Sequence, residues 1–106
     1  MMTPLSALPL EIALQSLPEW QIDALSLSIS RNFVFGDFVK AFSFMQLVAV
    51  QAQHSDHHPE WSNVYNTVHI RWTSHDAGGV THRDIAMASF CDSLFTSTQG
   101  SAHANG

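Results

Sequence analysis

The hydrophobic period of this chain changes at Gly36-Asp37, and that change limits its fold more than any other feature. Before it, apolar side chains occupy odd positions, namely Leu25, Leu27, Ile29, Phe33 and Phe35. A period of two predicts a half-buried antiparallel strand, in which Arg31 falls on the apolar side and indicates a bulge or an edge. After it, apolar residues recur at helical spacing over residues 38–53, and Asp37 can cap that helix.

The long helix is predicted to carry two apolar surfaces. A broad face that would cover a sheet comprises Phe38, Ala41, Phe42, Phe44, Met45, Val48, Ala49 and Ala52. Val39, Leu47 and Val50 fall on the other side, among polar residues. These three are either scattered exposed side chains or part of a contact with a second subunit.

Shorter elements flank this strand and helix. Apolar spacing over residues 8–17 predicts a first helix that ends before a proline. Trp20 and Ile22 alternate with polar residues, which predicts a short strand. Residues 64–73 alternate again, which predicts either one bent strand or two strands meeting at Asn66-Thr67.

The last part of the chain predicts a loop, a helix and a tail. Gly78-Gly79 indicates the loop, and Thr81-His82-Arg83-Asp84 resembles a capping box with Asp in place of the usual Glu. Residues 97–106 are small and polar, so a disordered tail is expected there. The element order predicts an α+β domain with helices on one face of an antiparallel sheet.

Length and charge restrict the classes of protein. The 106 residues predict one domain, residues 1–96, and a net charge of −5 gives no basic surface for nucleic acid or an anionic membrane. No apolar run approaches the roughly 20 residues of a membrane-spanning helix. The N-terminus lacks the positive flank of a signal peptide, and the single Cys91 cannot form an internal disulfide. We therefore expect a cytoplasmic protein in which Cys91 is a small buried apolar residue.

Histidine is the most informative residue type, with seven copies against four Lys and Arg together. Two stretches contain histidines beside acidic residues: Asp56-His57-His58-Pro59-Glu60-Trp61 and Thr73-Ser74-His75-Asp76. Pro59 restricts His58 to extended backbone, so the long helix must end before that residue. His75 lies where the chain leaves the following strand stretch. Because imidazole, with a pKa of roughly 6.5, exchanges protons at neutral pH, these histidines predict an acid/base site.

Two other roles are open to the histidines. His54 and His58 have the i, i+4 spacing of metal ligands, and His57 or Asp56 could add another. Against a metal, Pro59 pulls His58 out of the helix, and the chain has no cysteine pair and no HExxH pattern. Alternatively, the histidines are structural hydrogen-bonding residues at element ends. The aromatic and acidic residues around them, which include Trp61 and Tyr65, favour a functional site.

A family resemblance extends this interpretation. The segments that carry it are Asp56-His57-His58-Pro59-Glu60-Trp61-Ser62-Asn63-Val64-Tyr65-Asn66, Val68-His69-Ile70 and Thr73-Ser74-His75-Asp76. Supporting matches are Leu17-Pro18-Glu19-Trp20, Ser30-Arg31-Asn32-Phe33-Val34-Phe35-Gly36-Asp37-Phe38, Phe44-Met45-Gln46-Leu47-Val48-Ala49, Gly79-Val80-Thr81 and Arg83-Asp84. Over residues 17–95 the chain resembles pterin-4a-carbinolamine dehydratases.

The resemblance implies a fold and an activity. It implies a four-stranded antiparallel sheet with three helices on one face, in subunits that associate as homodimers or homotetramers. It implies dehydration of 4a-hydroxytetrahydrobiopterin to the quinonoid dihydropterin, which recycles the cofactor of aromatic amino-acid hydroxylases. No metal and no bound cofactor are implied. The family also includes transcription-factor dimerisation partners and enzyme assembly factors, which gives a non-catalytic alternative.

The resemblance also implies roles for individual residues. His57, His58 and His75 match the catalytic histidines, and we expect His57 and His75 to be the acid/base pair while His58 binds and orients. The residues implied to bind substrate are Asp56, His57, His58, Trp20, Thr73, Ser74, His75 and Asp76. Asp56 is further expected to favour a nearby imidazolium. Gln53 stands where the family often has a carboxylate, and an amide can hydrogen-bond but cannot ionise. A binding-only member would be expected to lose a site histidine, and this chain keeps all three.

Overall fold

The computed structural model describes residues 4–25 and 27–104 as one α+β unit. Its elements are α1 (Ala7–Leu14), β1 (Gln21–Ile22), β2 (Ile29–Val34), α2 (Phe38–Ser55), β3 (Glu60–Val64), β4 (Thr67–Trp72), a 3-10 turn (His75–Ala77) and α3 (His82–Ala104). The strands form one antiparallel sheet in the order β1-β2-β4-β3. The predicted α+β class with a four-stranded antiparallel sheet and three helices is therefore confirmed.

The sheet has an apolar inner face and a polar outer face. Residues Ile29, Phe33, Val68, Ile70 and Trp72 are buried beneath the helices. Alternate residues such as Asn32 and His69 point to the outer face, where they form a hydrogen bond of 2.7 Å. Since side chains alternate along a strand, the register decides which residues enter the core. β3 and β4 are separate strands, because Tyr65 and Asn66 form a turn between the paired residues Val64 and Thr67.

Of the two alternatives that the sequence predicts at Arg31, a bulge or an edge, the bulge is not observed. β2 pairs without interruption with β4 from Ile29 to Val34, whereas β1 pairs only with Ile29 and Ser30, so Arg31 has no partner in β1. The Arg31 guanidinium lies 4.4 Å from the ring centroid of Phe33 and forms a 2.8 Å ion pair with Asp92 on α3. A paired guanidinium stacked on an aromatic ring can occupy the inner face without leaving a charge unsatisfied.

The beginning of β2 was also predicted wrongly, because Leu25 and Leu27 lie in a turn rather than in a strand. The Asp23 carboxylate accepts hydrogen bonds from the Leu25 and Leu27 amides at 3.1 and 2.8 Å. Leu25 is 76% exposed. An Asp side chain that captures the amides two and four residues later closes a turn, and here it overrides the alternating pattern. The first helix likewise ends at Leu14, earlier than predicted.

The buried face of α2 is narrower than the sequence predicts. Ala41, Phe44, Val48 and Ala52 are buried, whereas Phe38, Phe42 and Ala49 are exposed. A helix lying on a sheet is covered along one stripe, and α2 packs against β4 and α3. The exposed apolar residues form what we call the α2 flank: Phe38, Val39, Phe42, Leu47 and Val50.

The disordered tail predicted for residues 97–106 overlaps α3 as far as Ala104, and residues 105–106 lie outside the described residues. α3 continues to Ala104, and Thr98 Oγ1 donates to the Leu94 carbonyl at 2.9 Å. Residues 97–104 contain no proline, the residue that interrupts a helix most strongly. The domain boundary at residue 96 stays a prediction. Cys91 on α3 is buried, as predicted, and burial raises the pKa of its thiol to about 12. Within the described residues, we find no helix with the length and apolarity needed to cross a membrane.

The N-cap of α2 gives a test of the fold. The Asp37 carboxylate accepts a hydrogen bond from the Lys40 amide at 2.9 Å. Asp37→Ala should lower the free energy of unfolding by about 1 kcal/mol, because that amide loses its partner. Asp37→Asn is the matched control, since Asn caps as well as Asp. Urea unfolding of both variants checks this, and equal losses would contradict the capping role.

Candidate active site

The end of α2 places the histidine pair. Asp56 is the C-cap and adopts the left-handed conformation with φ 51°, and the His57 amide donates to the Ala52 carbonyl at 3.0 Å. Pro59 then starts the extended segment that leads into β3. The helix therefore ends before His58, as the sequence predicts.

The end of β4 and the start of α3 close the site from the other side. A cavity of about 350 Å³ is lined by Asp56, His57, His58, Thr73, Ser74, His75, Asp76 and Arg83. The three predicted histidines thus lie around one cavity, although His57 and His75 are 18 positions apart in the sequence. Their common location makes an acid/base site geometrically feasible.

Trp20 is not among the residues that line this cavity. Its indole packs edge-on against Phe33, with ring centroids 5.8 Å apart, and its Nε1 donates to Asp92 at 2.8 Å. The Trp20 side chain therefore packs in the aromatic core and bonds to α3. Its predicted role in substrate binding has no geometric support in this subunit.

A buried carboxylate holds His57. Asp84 is 0% exposed, and its Oδ1 lies 2.6 Å from His57 Nε2. Its Oδ2 accepts from Ser74 Oγ at 2.8 Å and from the Thr81 amide at 2.9 Å. The His57 ring also stacks on Trp72, with centroids 5.5 Å apart. These contacts fix the position of His57 within the cavity wall.

Asp84 is the site residue that the sequence analysis missed. The sequence analysis identified it as a helix-start residue and as part of a matching family segment, but not as a site residue. The Thr81 amide contact confirms the capping function. A carboxylate has two oxygens and accepts several hydrogen bonds, so one oxygen can cap α3 while the other meets an imidazole. The spacing between residues 57 and 84 gives no signal of this contact.

The other two histidines are exposed, and each has a side-chain oxygen as a partner. His58 Nε2 lies 3.0 Å from Gln53 Oε1, so Gln53 keeps a hydrogen bond where the family often has a carboxylate. His75 Nε2 lies 2.8 Å from Glu60 Oε2. In all three histidines, therefore, Nε2 faces an oxygen acceptor. A neutral ring that donates from Nε2 keeps its lone pair on Nδ1.

The rim of the cavity carries an exposed ion pair. Arg83 Nη2 lies 2.7 Å from Asp76 Oδ1, and this hydrogen bond lowers the pKa of Asp76. Asp76 is therefore ionised at neutral pH. Asp56 is also exposed, and its predicted influence on a nearby imidazolium stays a prediction.

The alternative metal site is not assembled in the described part of the chain. Across residues 4–25 and 27–104, no group of three or more His, Cys, Asp or Glu side chains could hold a metal ion. His54 is exposed on α2 and does not line the cavity that contains His57 and His58.

The fold and the site define an α+β protein with three imidazoles around a small cavity lined by residues with polar side chains. The sequence matches the family described as pterin 4 alpha carbinolamine dehydratase over residues 3–94. The chain belongs to this family.

Named relatives agree with this assignment. The chain is 55% identical over 82 residues to a protein of Rhizorhabdus wittichii provisionally named pterin-4-alpha-carbinolamine dehydratase, covering 77% of this chain and 84% of the relative. A Bordetella avium protein with the same provisional name is 51% identical over 83 residues, covering 78% and 77% respectively.

Solved structures share the fold. The crystal structure of a transcriptional coactivator/pterin dehydratase from Brucella melitensis has a TM-score of 0.83 and 39% identity, covering 87% of this chain and 98% of its own. A pterin dehydratase-like RuBisCO assembly factor of the alpha-carboxysome has a TM-score of 0.64 and 18% identity, covering 73% and 89%. The second likeness shows the fold alone.

Removing Asp84 gives a test of the site's framework. Asp84→Ala should lower the free energy of unfolding by roughly 1–3 kcal/mol, because Ser74 Oγ and the Thr81 amide lose a buried acceptor. The control is Asp76→Ala, which removes an exposed ion pair and should cost less than about 1 kcal/mol. Chemical denaturation measures the free energy of unfolding of both variants. Similar losses in the two would contradict the role of Asp84 as a buried hydrogen-bond acceptor that stabilises the site.

Proposed function

We propose that this protein is a pterin-4a-carbinolamine dehydratase, which converts 4a-hydroxytetrahydrobiopterin to the quinonoid dihydropterin. The observation that carries the proposal is the position of His57, His58 and His75 around one cavity of about 350 Å³. Cavities of roughly 300–1,000 Å³ are typical of small-molecule sites. Membership of the dehydratase family supports the choice of substrate.

The reaction needs a base and an acid at the same time. A base takes the proton from N5, the N5–C4a double bond forms, and the C4a–O bond breaks. An acid gives a proton to the departing hydroxyl, which leaves as water. Two imidazoles in opposite protonation states can do both at neutral pH, each worth roughly 10²–10⁴ in rate. No metal or bound cofactor is required by this scheme.

The partners of the histidines support a division of roles. His57 faces the Asp84 carboxylate and His75 faces the Glu60 carboxylate, whereas His58 faces the neutral amide of Gln53. An adjacent carboxylate stabilises an imidazolium, and an amide does so less. We therefore assign His57 and His75 as the acid/base pair and His58 as a binding and orienting residue.

The remaining cavity residues offer polar side chains that a pterin could contact. Thr73 Oγ1 donates to the Leu27 carbonyl at 2.6 Å and Ser74 Oγ donates to Asp84, so both hydroxyls stiffen the cavity wall. Asp56 and Asp76 lie exposed at the rim, where carboxylates can accept hydrogen bonds from the ring's N–H groups. We assign these four residues to substrate binding.

Location and pathway follow from the same proposal. The buried free thiol of Cys91 suits the reducing cytoplasm, where we place the enzyme. Its product would re-enter the cofactor cycle of an aromatic amino-acid hydroxylase. The alternative is a non-catalytic role as a transcription-factor dimerisation partner or an enzyme assembly factor. The α2 flank favours some protein contact, and we propose that a second copy of the chain covers it in a homodimer or homotetramer.

A dehydration assay tests the enzymatic proposal. Freshly generated 4a-carbinolamine should lose water faster with the protein than without it, and dialysis against a chelator should leave that rate unchanged. His75→Ala should lower turnover roughly 10²-fold or more with little effect on folding. His69→Ala is the matched control, because His69 lies on the outer face of the sheet. Wild-type turnover in a His57→Ala, His75→Ala double variant would overturn the mechanism.

Light scattering tests self-association. The unmodified protein should have a mass above that of one chain at micromolar concentration, because burying a large apolar side chain gains roughly 1.5–3 kcal/mol. Leu47→Glu should lower that mass and also lower the thermal midpoint, to an extent that depends on protein concentration. Thr96→Glu adds the same charge to an exposed position on α3 and should change neither property. A single-chain mass for the unmodified protein would overturn self-association.

A further inference from the structure

We propose that Glu60 is a positioning residue that holds Nε2 of His75, so that Nδ1 of His75 exchanges the proton with the substrate. This inference rests on the dehydratase function proposed above. Glu60 is the first residue of β3 and does not line the cavity of about 350 Å³. It would therefore act on the reaction only through His75.

The Glu60 carboxylate connects two side chains on the outer side of the sheet. Its Oε2 lies 2.8 Å from His75 Nε2, and its Oε1 accepts a hydrogen bond from Arg71 Nη1. Glu60 and Arg71 are direct neighbours in the β3–β4 pairing. The hydrogen bond from His75 and the contacts with Arg71 lower the pKa of Glu60. The carboxylate therefore carries its charge at neutral pH.

Arg71 is itself held, which fixes the direction of the carboxylate. Its Nε donates to Ser28 Oγ at 2.9 Å, and Ser28 Oγ donates to Asp23 Oδ2 at 2.8 Å. Asp23 is the residue that closes the turn between β1 and β2. A continuous polar chain therefore runs from that turn through Arg71 and Glu60 to His75. Such outer partners orient an imidazole and select its tautomer.

His75 needs an anchor more than His57 does. Its side chain is 79% exposed, whereas His57 is buried between Asp84 and Trp72. An exposed ring that must adopt one rotamer loses conformational freedom, and a charged hydrogen bond offsets that cost. Glu60 thus holds the His75 ring in one position from the outer face, as burial holds the His57 ring.

The contact also determines which nitrogen reacts. While Nε2–H donates to Glu60, the neutral ring has its lone pair on Nδ1, and the imidazolium has a transferable proton there. During dehydration only the Nδ1–H bond of His75 forms or breaks, and the Nε2–H bond is retained. Proton balance is kept, because the base gains the N5 proton while the acid loses one to the departing water.

The experiment compares Glu60→Ala and Glu60→Gln with the unmodified protein, each labelled with 15N in the histidine rings. NMR at a pH where His75 is neutral should show the Nε2–H tautomer in the unmodified protein. Glu60→Gln should keep that tautomer, because its amide oxygen still accepts, whereas Glu60→Ala should show a mixture of tautomers.

The kcat of Glu60→Ala should fall roughly 10- to 100-fold with little change in KM. The kcat of Glu60→Gln should lie between that of Glu60→Ala and that of the unmodified protein. Glu11→Gln, an exposed carboxylate change on α1, should alter neither readout.

Two results would overturn the positioning role: an Nδ1–H tautomer in the unmodified protein, or an unchanged tautomer and kcat in Glu60→Ala. If the unmodified protein dehydrates no carbinolamine, the proposed function fails on that measurement. The tautomer comparison then still decides whether Glu60 positions His75, so the two failures are distinguishable. Circular dichroism of each variant separates these outcomes from loss of the fold.

Discussion

The site depends on one buried carboxylate, that of Asp84. Its two oxygens contact the start of α3 through the Thr81 amide, the end of β4 through Ser74, and the exit of α2 through His57. Each of these groups would be costly to bury without a partner. The same side chain therefore caps a helix and keeps three chain segments in the arrangement that forms the cavity. The fold and the chemistry are linked at this point.

The two proposed proton-transfer histidines are held from opposite sides of the sheet. His57 is fixed from the inner side by Asp84 and by stacking on Trp72. His75 is fixed from the outer side by Glu60, which Arg71 secures in turn. Each of these two imidazoles therefore has a carboxylate oxygen within hydrogen-bonding distance of Nε2. His58 instead has the amide oxygen of Gln53 as its partner.

The sequence predicted the parts of the fold that depend on local patterns. The α2 cap at Asp37, the end of that helix before His58 and the alternation in β4 all arise from backbone preferences or periodicity. The errors have tertiary or side-chain causes. Asp23 captures two leucine amides and replaces the predicted first part of β2 with a turn. Arg31 remains on the inner face because α3, distant in sequence, supplies Asp92 as a partner.

The sequence by itself determined which residue types were present for acid/base chemistry and the order of the elements that carry them. The family resemblance also identified His57, His58 and His75 as the residues of one site. Only the tertiary structure decided which acceptor each imidazole meets, that Asp84 and Glu60 serve two of them, and that Trp20 lies outside the cavity of this subunit. The physical reason is that hydrogen bonds depend on distances of about 3 Å between atoms, and helix and strand periodicity fixes such distances only within one element. Contacts between the ends of different elements are set by how the helices pack on the sheet.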